Sequence, residues 1–324
     1  MESFWQHLPK PFFVLAPMAD VTDPAYRKII AKYGKPDVTW TEFVSADGLF
    51  HTREKKCMKD EENPLVRDLL YSEGERPLVA QLFSSIPENM SYAAKLCKEL
   101  GFDGVDINMG CPDKSIERQG CGAGMMRNPE NAKAIIRAAR EGGLPVSVKT
   151  RIGYNSENID EWLAAVLEEK PEALTVHLRT RKEMSKVPAH WELASRIVSL
   201  RDKVSPSTLI IGNGDVMSLE DAKTKVEESG MDGIMLGRAI FGNPWLFTGR
   251  PLESITPKEK LTALLELTEG FEALVPRKSF HLLKKHVKVF VSGWDGASVL
   301  RSSLMDTTDL PSFKQVLADG LKLV

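Results

Sequence analysis

Six short apolar runs end on polar residues whose types suit the floor of a reaction site. Gln81 falls within Leu78-Val79-Ala80-Gln81-Leu82, Asn108 ends Gly104-Val105-Asp106-Ile107-Asn108, and Lys149 ends Val146-Ser147-Val148-Lys149 before Thr150-Arg151. His177 ends Leu174-Thr175-Val176-His177 before Leu178-Arg179; Asn213-Gly214-Asp215 and Gly237-Arg238 follow two further runs. A single polar residue of this kind is as readily a satisfied structural group. Six of them in equivalent positions point to a shared site.

Lys149 admits two chemistries. As a neutral amine it would form a Schiff base with a carbonyl substrate; as an ammonium it would stabilise negative charge on a reduced cofactor ring. Its neighbours favour the second, because Lys149, His177 and Gln81 make a ring of donors for the carbonyl edge of an electron-accepting heterocycle such as a flavin. The glycines Gly214 and Gly237 let backbone N–H groups approach a ligand closely, and Arg238 adds a bidentate donor, which together imply a terminal phosphate. Cys111, between Gly110 and Pro112, presents a thiol on a fixed backbone as nucleophile or proton donor. Cys57 and Cys97 read as small buried hydrophobes, and Cys121, between Gly120 and Gly122, is open to either reading. No CxxC pair suggests a metal site.

The elements that must carry these residues are legible. Eight strand-like runs begin at Phe12, Val38, Leu78, Gly104, Val146, Leu174, Leu209 and Gly233. Between them lie amphipathic stretches with helix-start signals, as at Pro87-Glu88-Asn89, Pro129-Glu130-Asn131 and Ser218-Leu219-Glu220-Asp221. This predicts an α/β fold, a (β/α)8 TIM barrel, whose active site forms at the C-terminal ends of the strands. A doubly wound sheet would show its glycine cluster after the first strand, where the chain reads Ala16-Pro17-Met18-Ala19-Asp20. From Ile255 the apolar spacing becomes helical, as in Leu261, Leu264, Leu265, Leu267 and Phe271. The expected division is a catalytic barrel over 1–250 and a small C-terminal helical domain over 251–324.

In 324 residues, 43 Lys and Arg oppose 45 Asp and Glu, a net charge of −2, which excludes a generally polycationic protein. One basic stretch stands out: Arg277-Lys278-Ser279-Phe280-His281-Leu282-Leu283-Lys284-Lys285-His286-Val287-Lys288 has no acid. At helical spacing Lys284, Lys285 and Lys288 lie near one another, a solvated helix face or an RNA-binding one. Arg151, Arg179, Arg181, Lys182 and Lys186 would extend a positive surface to the barrel mouth. Few cysteines, no leader-like start and no long apolar run predict a cytoplasmic protein with no membrane partner.

The motifs Ala16-Pro17-Met18, Asn108-Met109-Gly110-Cys111-Pro112, Val148-Lys149-Thr150-Arg151, Val176-His177-Leu178-Arg179-Thr180-Arg181, Asn213-Gly214-Asp215 and Gly237-Arg238-Ala239 resemble, in order, those of the tRNA-dihydrouridine synthases. The resemblance is specific over residues 12–250. It implies an FMN-dependent barrel that reduces the 5,6 double bond of a specific tRNA uridine, with NADPH as reductant, and a helical tail that recognises RNA. It further implies that hydride passes from flavin N5 to uracil C6 and that Cys111 protonates C5. Lys149 and His177, with Gln81 and the Ala16-Pro17-Met18, Asn213-Gly214-Asp215 and Gly237-Arg238 segments, would contact the cofactor; Asn108 would contact the flipped uracil. No obligatory protein partner is expected.

Two other classes share parts of this pattern. A dihydroorotate- or dihydropyrimidine-type flavin dehydrogenase acting on a free pyrimidine would have the barrel and thiol loop, but no use for a basic tail. A non-catalytic RNA-binding module would need no flavin.

Overall fold

The computed structural model describes residues 3–324. The apolar runs form strands β1 (Phe12–Leu15), β2 (Thr39–Trp40), β3 (Val44–Ser45), β4 (Leu78–Phe83), β5 (Gly104–Asn108), β6 (Val146–Arg151), β7 (Ala173–His177), β8 (Leu209–Asn213) and β9 (Gly233–Leu236). All pairings are parallel, in the order β1-β9-β8-β7-β6-β5-β4-β2, with β3 also on β4. The ring closes just before β2: Asp37 N–H donates to Phe13 O at 3.0 Å, and Phe13 N–H donates to Asp37 Oδ2 at 2.6 Å. This is the expected barrel, with its second strand broken at Glu42 and Phe43 into β2 and β3.

Strand alternation sorts the side chains into layers. Phe12 and Val14 face the barrel interior with Val79, Ile211 and Met235, and Trp5 packs against Phe12 and Trp40 in the same cluster. Phe13 and Leu15 face outward, toward Tyr26 and Ile29 of the helix Pro24–Gly34. The helix starts read from sequence hold. Asn128 accepts from Asn131 N–H at 3.2 Å before Pro129–Arg140, and Ser218 accepts from Asp221 N–H at 3.0 Å before Leu219–Ser229.

The tail is four helices, Pro257–Glu272, Phe280–Phe290, Ala297–Asp306 and Leu310–Leu321. Thr256 and Glu259 form a capping box on the first. The stripe Leu261, Leu264, Leu267 and Phe271 belongs to the same apolar cluster as Leu15, Ile234 and Leu236 of the barrel wall. The tail therefore shares a core with the barrel, and removing it would expose apolar surface worth about 1.5–3 kcal/mol per large side chain. No described helix is long and apolar enough to cross a membrane.

Candidate active site

A cavity of about 250 Å³ opens at the C-terminal ends of the strands. Parallel register brings the expected residues to it: Asn108 is paired with Lys149, Arg151 with His177, and His177 with Asn213. Ala16, Pro17, Met18, Gln81, Asn108, Cys111, Lys149, His177, Asn213, Gly214, Asp215, Gly237 and Arg238 all line it.

The thiol loop is held from below by a chain that begins at Asp106, a residue not singled out in the sequence. The fully buried Asp106 accepts from Ser147 Oγ at 2.6 Å and from Gln81 Nε2 at 2.7 Å. Because Asp106 takes the amide nitrogen, Gln81 turns its Oε1 to Asn108 Nδ2, at 3.2 Å. Asn108 Oδ1 then accepts the backbone N–H groups of Gly110, at 3.1 Å, and Cys111, at 2.9 Å. One hydrogen of the Asn108 amide is left for a ligand. Burial raises the Asp106 carboxyl to about 6, while the hydrogen bonds from Ser147 and Gln81 pull the other way.

Burial also raises the Cys111 thiol, so it is protonated at neutral pH. Cys121, left open by the sequence, lies outside the cavity lining, wholly buried among Phe83 and Ile116, with its thiol pushed up to about 11 by burial. All four thiols are free; Cys97 is buried as expected, but Cys57 is exposed in a loop with a positive φ of 49°, not a buried hydrophobe.

On β6, next to the strand that carries the thiol loop, desolvation and then the nearby Arg151 pull the Lys149 ammonium down to about 8; its Nζ donates to Asn213 Oδ1 at 3.2 Å. Asn213 Nδ2 donates in turn to Met235 O at 2.8 Å, which fixes the amide orientation. Burial, then Arg151 and Lys149, hold His177 well below its ordinary value. Arg179 Nη1 lies 3.1 Å from His177 Nε2. A guanidinium only donates, so Nε2 accepts and the neutral ring carries its proton on Nδ1.

The arginines expected on an RNA-facing surface are used within the protein. Arg151 donates to Gly110 O at 2.8 Å and Met184 O at 2.9 Å, tying two loops together. Arg179 binds Val187 O, His177 and Asp215; Arg181 makes a fork on Glu117, both contacts at 2.5 Å. Buried carbonyls and carboxylates at a loop-rich mouth need donors, and these guanidinium groups supply them. Asp215, with a positive φ of 53°, also accepts from Arg238 at 2.8 Å. Hydrogen bonding from Arg179 lowers its carboxyl further. In the tail, Lys284 donates to Met305 O at 2.7 Å and to Thr307 O, closing the end of a helix. Lys285 lies 3.5 Å from Asp20, and Lys288 is exposed.

The residues fit a flavin mononucleotide. A side chain added at Gly237 would project between Ala16 Cβ, 3.7 Å away, and Met18 Sδ, 3.9 Å away, both on the cavity wall. The glycine thus leaves a cradle beside Arg238, where the first N–H groups of the turn Arg238–Ile240 have no partner within it. Lys149 and His177 line the same cavity with N–H groups suited to a ring, whereas the Gln81 amide is committed to Asp106 and Asn108.

A family model described as "Dihydrouridine synthase (Dus)" matches residues 14–323. The chain is 42% identical over 322 residues to the "Probable tRNA-dihydrouridine synthase 2" of Bacillus subtilis (strain 168), covering 98% of this chain and 96% of that protein. It is 41% identical to the "Probable tRNA-dihydrouridine synthase" of Staphylococcus aureus (strain COL), covering 98% and 95%. Among solved structures, histamine dehydrogenase from Rhizobium sp. 4-9 superposes with a TM-score of 0.53 at 14% identity, covering 80% of this chain and 48% of that one. The 6-hydroxypseudooxynicotine amine oxidase of Pseudomonas geniculata N1 gives 0.54 at 13% identity, covering 87% and 53%; both likenesses are of fold. The chain belongs to the dihydrouridine synthase family of flavin-dependent oxidoreductases.

Proposed function

We propose that this chain reduces the 5,6 double bond of a uridine in cytoplasmic tRNA, with FMN bound in the barrel mouth and NADPH as the reductant. The observation that carries this reading is that one cavity brings together the Cys111 thiol, raised by burial, and the Lys149 and His177 side chains of the neighbouring strands β6 and β7. When bound and reduced, the flavin supplies the hydride that adds at uracil C6.

The chain's own residues do the rest. Cys111, protonated at neutral pH, gives its proton to C5 as negative charge develops there. Asn108 fixes the backbone of that thiol and offers its remaining amide hydrogen to a uracil carbonyl. The Lys149 ammonium and His177 Nδ1–H stabilise negative charge at the cofactor's carbonyl edge. Arg238 and the Gly237 cradle hold the phosphate, in exchange for the Arg238–Asp215 contact. A stacked uridine cannot reach this cavity, so it is extruded into the mouth. We assign residues 1–250 to catalysis and 251–324 to RNA contact, with Lys285 and Lys288 among the exposed tail cations.

The test is direct. The purified chain with FMN and NADPH, given unmodified tRNA, should add two hydrogens to a uridine, read by nucleoside mass spectrometry. Reduction of free uracil or uridine at a comparable rate, with none on tRNA, would reject the assignment.

A further inference from the structure

The buried charges between tail and barrel are more than a seam. Lys278, in the connection between the first two tail helices, is only 4% exposed and lies 2.6 Å from Glu42 Oε2 and 3.2 Å from Asp68 Oδ1. Glu42 sits where the second barrel strand is broken, next to Phe43, which lines the cavity. Its other oxygen accepts the backbone N–H of Asp20.

Asp20 has φ 56°, left-handed backbone that costs a non-glycine residue free energy, less for Asp than for most, and that its surroundings help to hold. It lies in a tight turn where Val21 and Thr22 N–H donate to Met18 O, and Met18 N–H donates to Thr22 Oγ1. Ala16, Pro17 and Met18, immediately before this turn, form the cavity wall facing Gly237. One tail lysine therefore holds a carboxylate that holds a strained turn that shapes the proposed cofactor site.

We propose that Lys278 is a positioning residue for flavin binding, acting through Glu42 and Asp20 on the Ala16-Pro17-Met18 wall. The inference rests on the flavin reading above. The tail thereby serves the cofactor as well as RNA.

The experiment is fluorescence titration of FMN into flavin-stripped protein. Wild-type protein that fails to bind FMN would defeat the flavin reading itself. With wild-type binding secured, Lys278→Met should weaken FMN binding about tenfold, the scale of one left-handed residue losing its support. Asp20→Gly in the same chain should restore it to within about threefold, because glycine adopts that φ without help. Binding unchanged in Lys278→Met, or a loss that Asp20→Gly does not repair, overturns the inference.

If Lys278→Met does not fold, the comparison moves to two double variants. Glu42→Gln with Lys278→Met keeps an acceptor for Asp20 N–H and should bind FMN; Glu42→Leu with Lys278→Met removes it and should not. Equal affinities for the two would overturn the inference.

Discussion

The carboxamide oxygen of Asn108 accepts the backbone N–H of Cys111 at 2.9 Å, so the end of β5 sets the height of the thiol over the cavity. Asn108→Ala leaves the N–H groups of Gly110 and Cys111 without this acceptor, at about 1–3 kcal/mol for each if no water replaces it. Uridine reduction should fall about a hundredfold through misplacement of the thiol. FMN affinity should change by less than about threefold. Single-turnover reduction of tRNA, set beside FMN titration, separates the two; a parallel loss in both would mean that Asn108 serves the cofactor.

Lys149 titrates near 8, below its ordinary 10.5, and in the proposed reaction its ammonium is the active form. Flavin reduction by NADPH should therefore decline as pH rises through about 8, and Lys149→Met should lose that limb. The sign for stability is opposite. The unfolded chain binds the proton more tightly, so the cofactor-free protein gains stability as pH rises from about 8 toward 10.5. At pH 7, Lys149→Met should melt a few degrees above wild type in scanning fluorimetry, since no cation is then enclosed.

An acid limb belongs to Asp106 and not to His177. His177 stays neutral well below 6.5, whereas the Asp106 carboxyl titrates near 6 and must be ionised to accept from both Gln81 and Ser147. The rate of uridine reduction should fall as pH drops through about 6, in wild type and in His177→Gln alike. Asp106→Asn should remove the limb and set a lower plateau, about tenfold down, because Gln81 must turn. A pH–rate profile for the three proteins decides it.

The tail lysines should separate by role. Lys288 is exposed with no partner among the described residues, so Lys288→Glu should raise KM for tRNA several-fold, increasingly at low salt. Lys284→Ala should instead lower Tm by a few degrees, because two carbonyls at a helix end lose their donor. Steady-state kinetics at two salt concentrations and a melting curve test both.

The strand ends were readable because apolar runs and their polar terminators are contiguous in sequence: Gln81, Asn108, Lys149, His177 and Asn213 reach one cavity. Asp106 is legible from strand alternation alone. It lies two residues before Asn108, on the same inward face of β5, beneath Gln81 and Asn108. Arg151 and Arg181 could not be sorted from surface cations, because the carbonyls and carboxylate they bind come from loops distant in sequence, and Arg179 likewise reaches Asp215, besides the nearer Val187 carbonyl. The partner of Arg181 is Glu117, and that of Lys278 is Glu42; neither spacing has a local signature. The break in the second strand, between Trp40 and Val44, holds Glu42, whose partner Lys278 is equally remote in sequence.

In the proposed reaction Cys111 delivers the proton to uracil C5. The most direct test of this step is anaerobic reoxidation of pre-reduced protein by unmodified tRNA, followed at the flavin absorbance. Cys111→Ala should keep FMN and NADPH-driven flavin reduction yet slow reoxidation by at least about a hundredfold, the scale of a lost general acid. Cys121→Ala, which removes a buried thiol outside the cavity, should reoxidise at close to the wild-type rate. Near-wild-type reoxidation in Cys111→Ala would contradict the account, and a matching loss in Cys121→Ala would move the proton to that thiol.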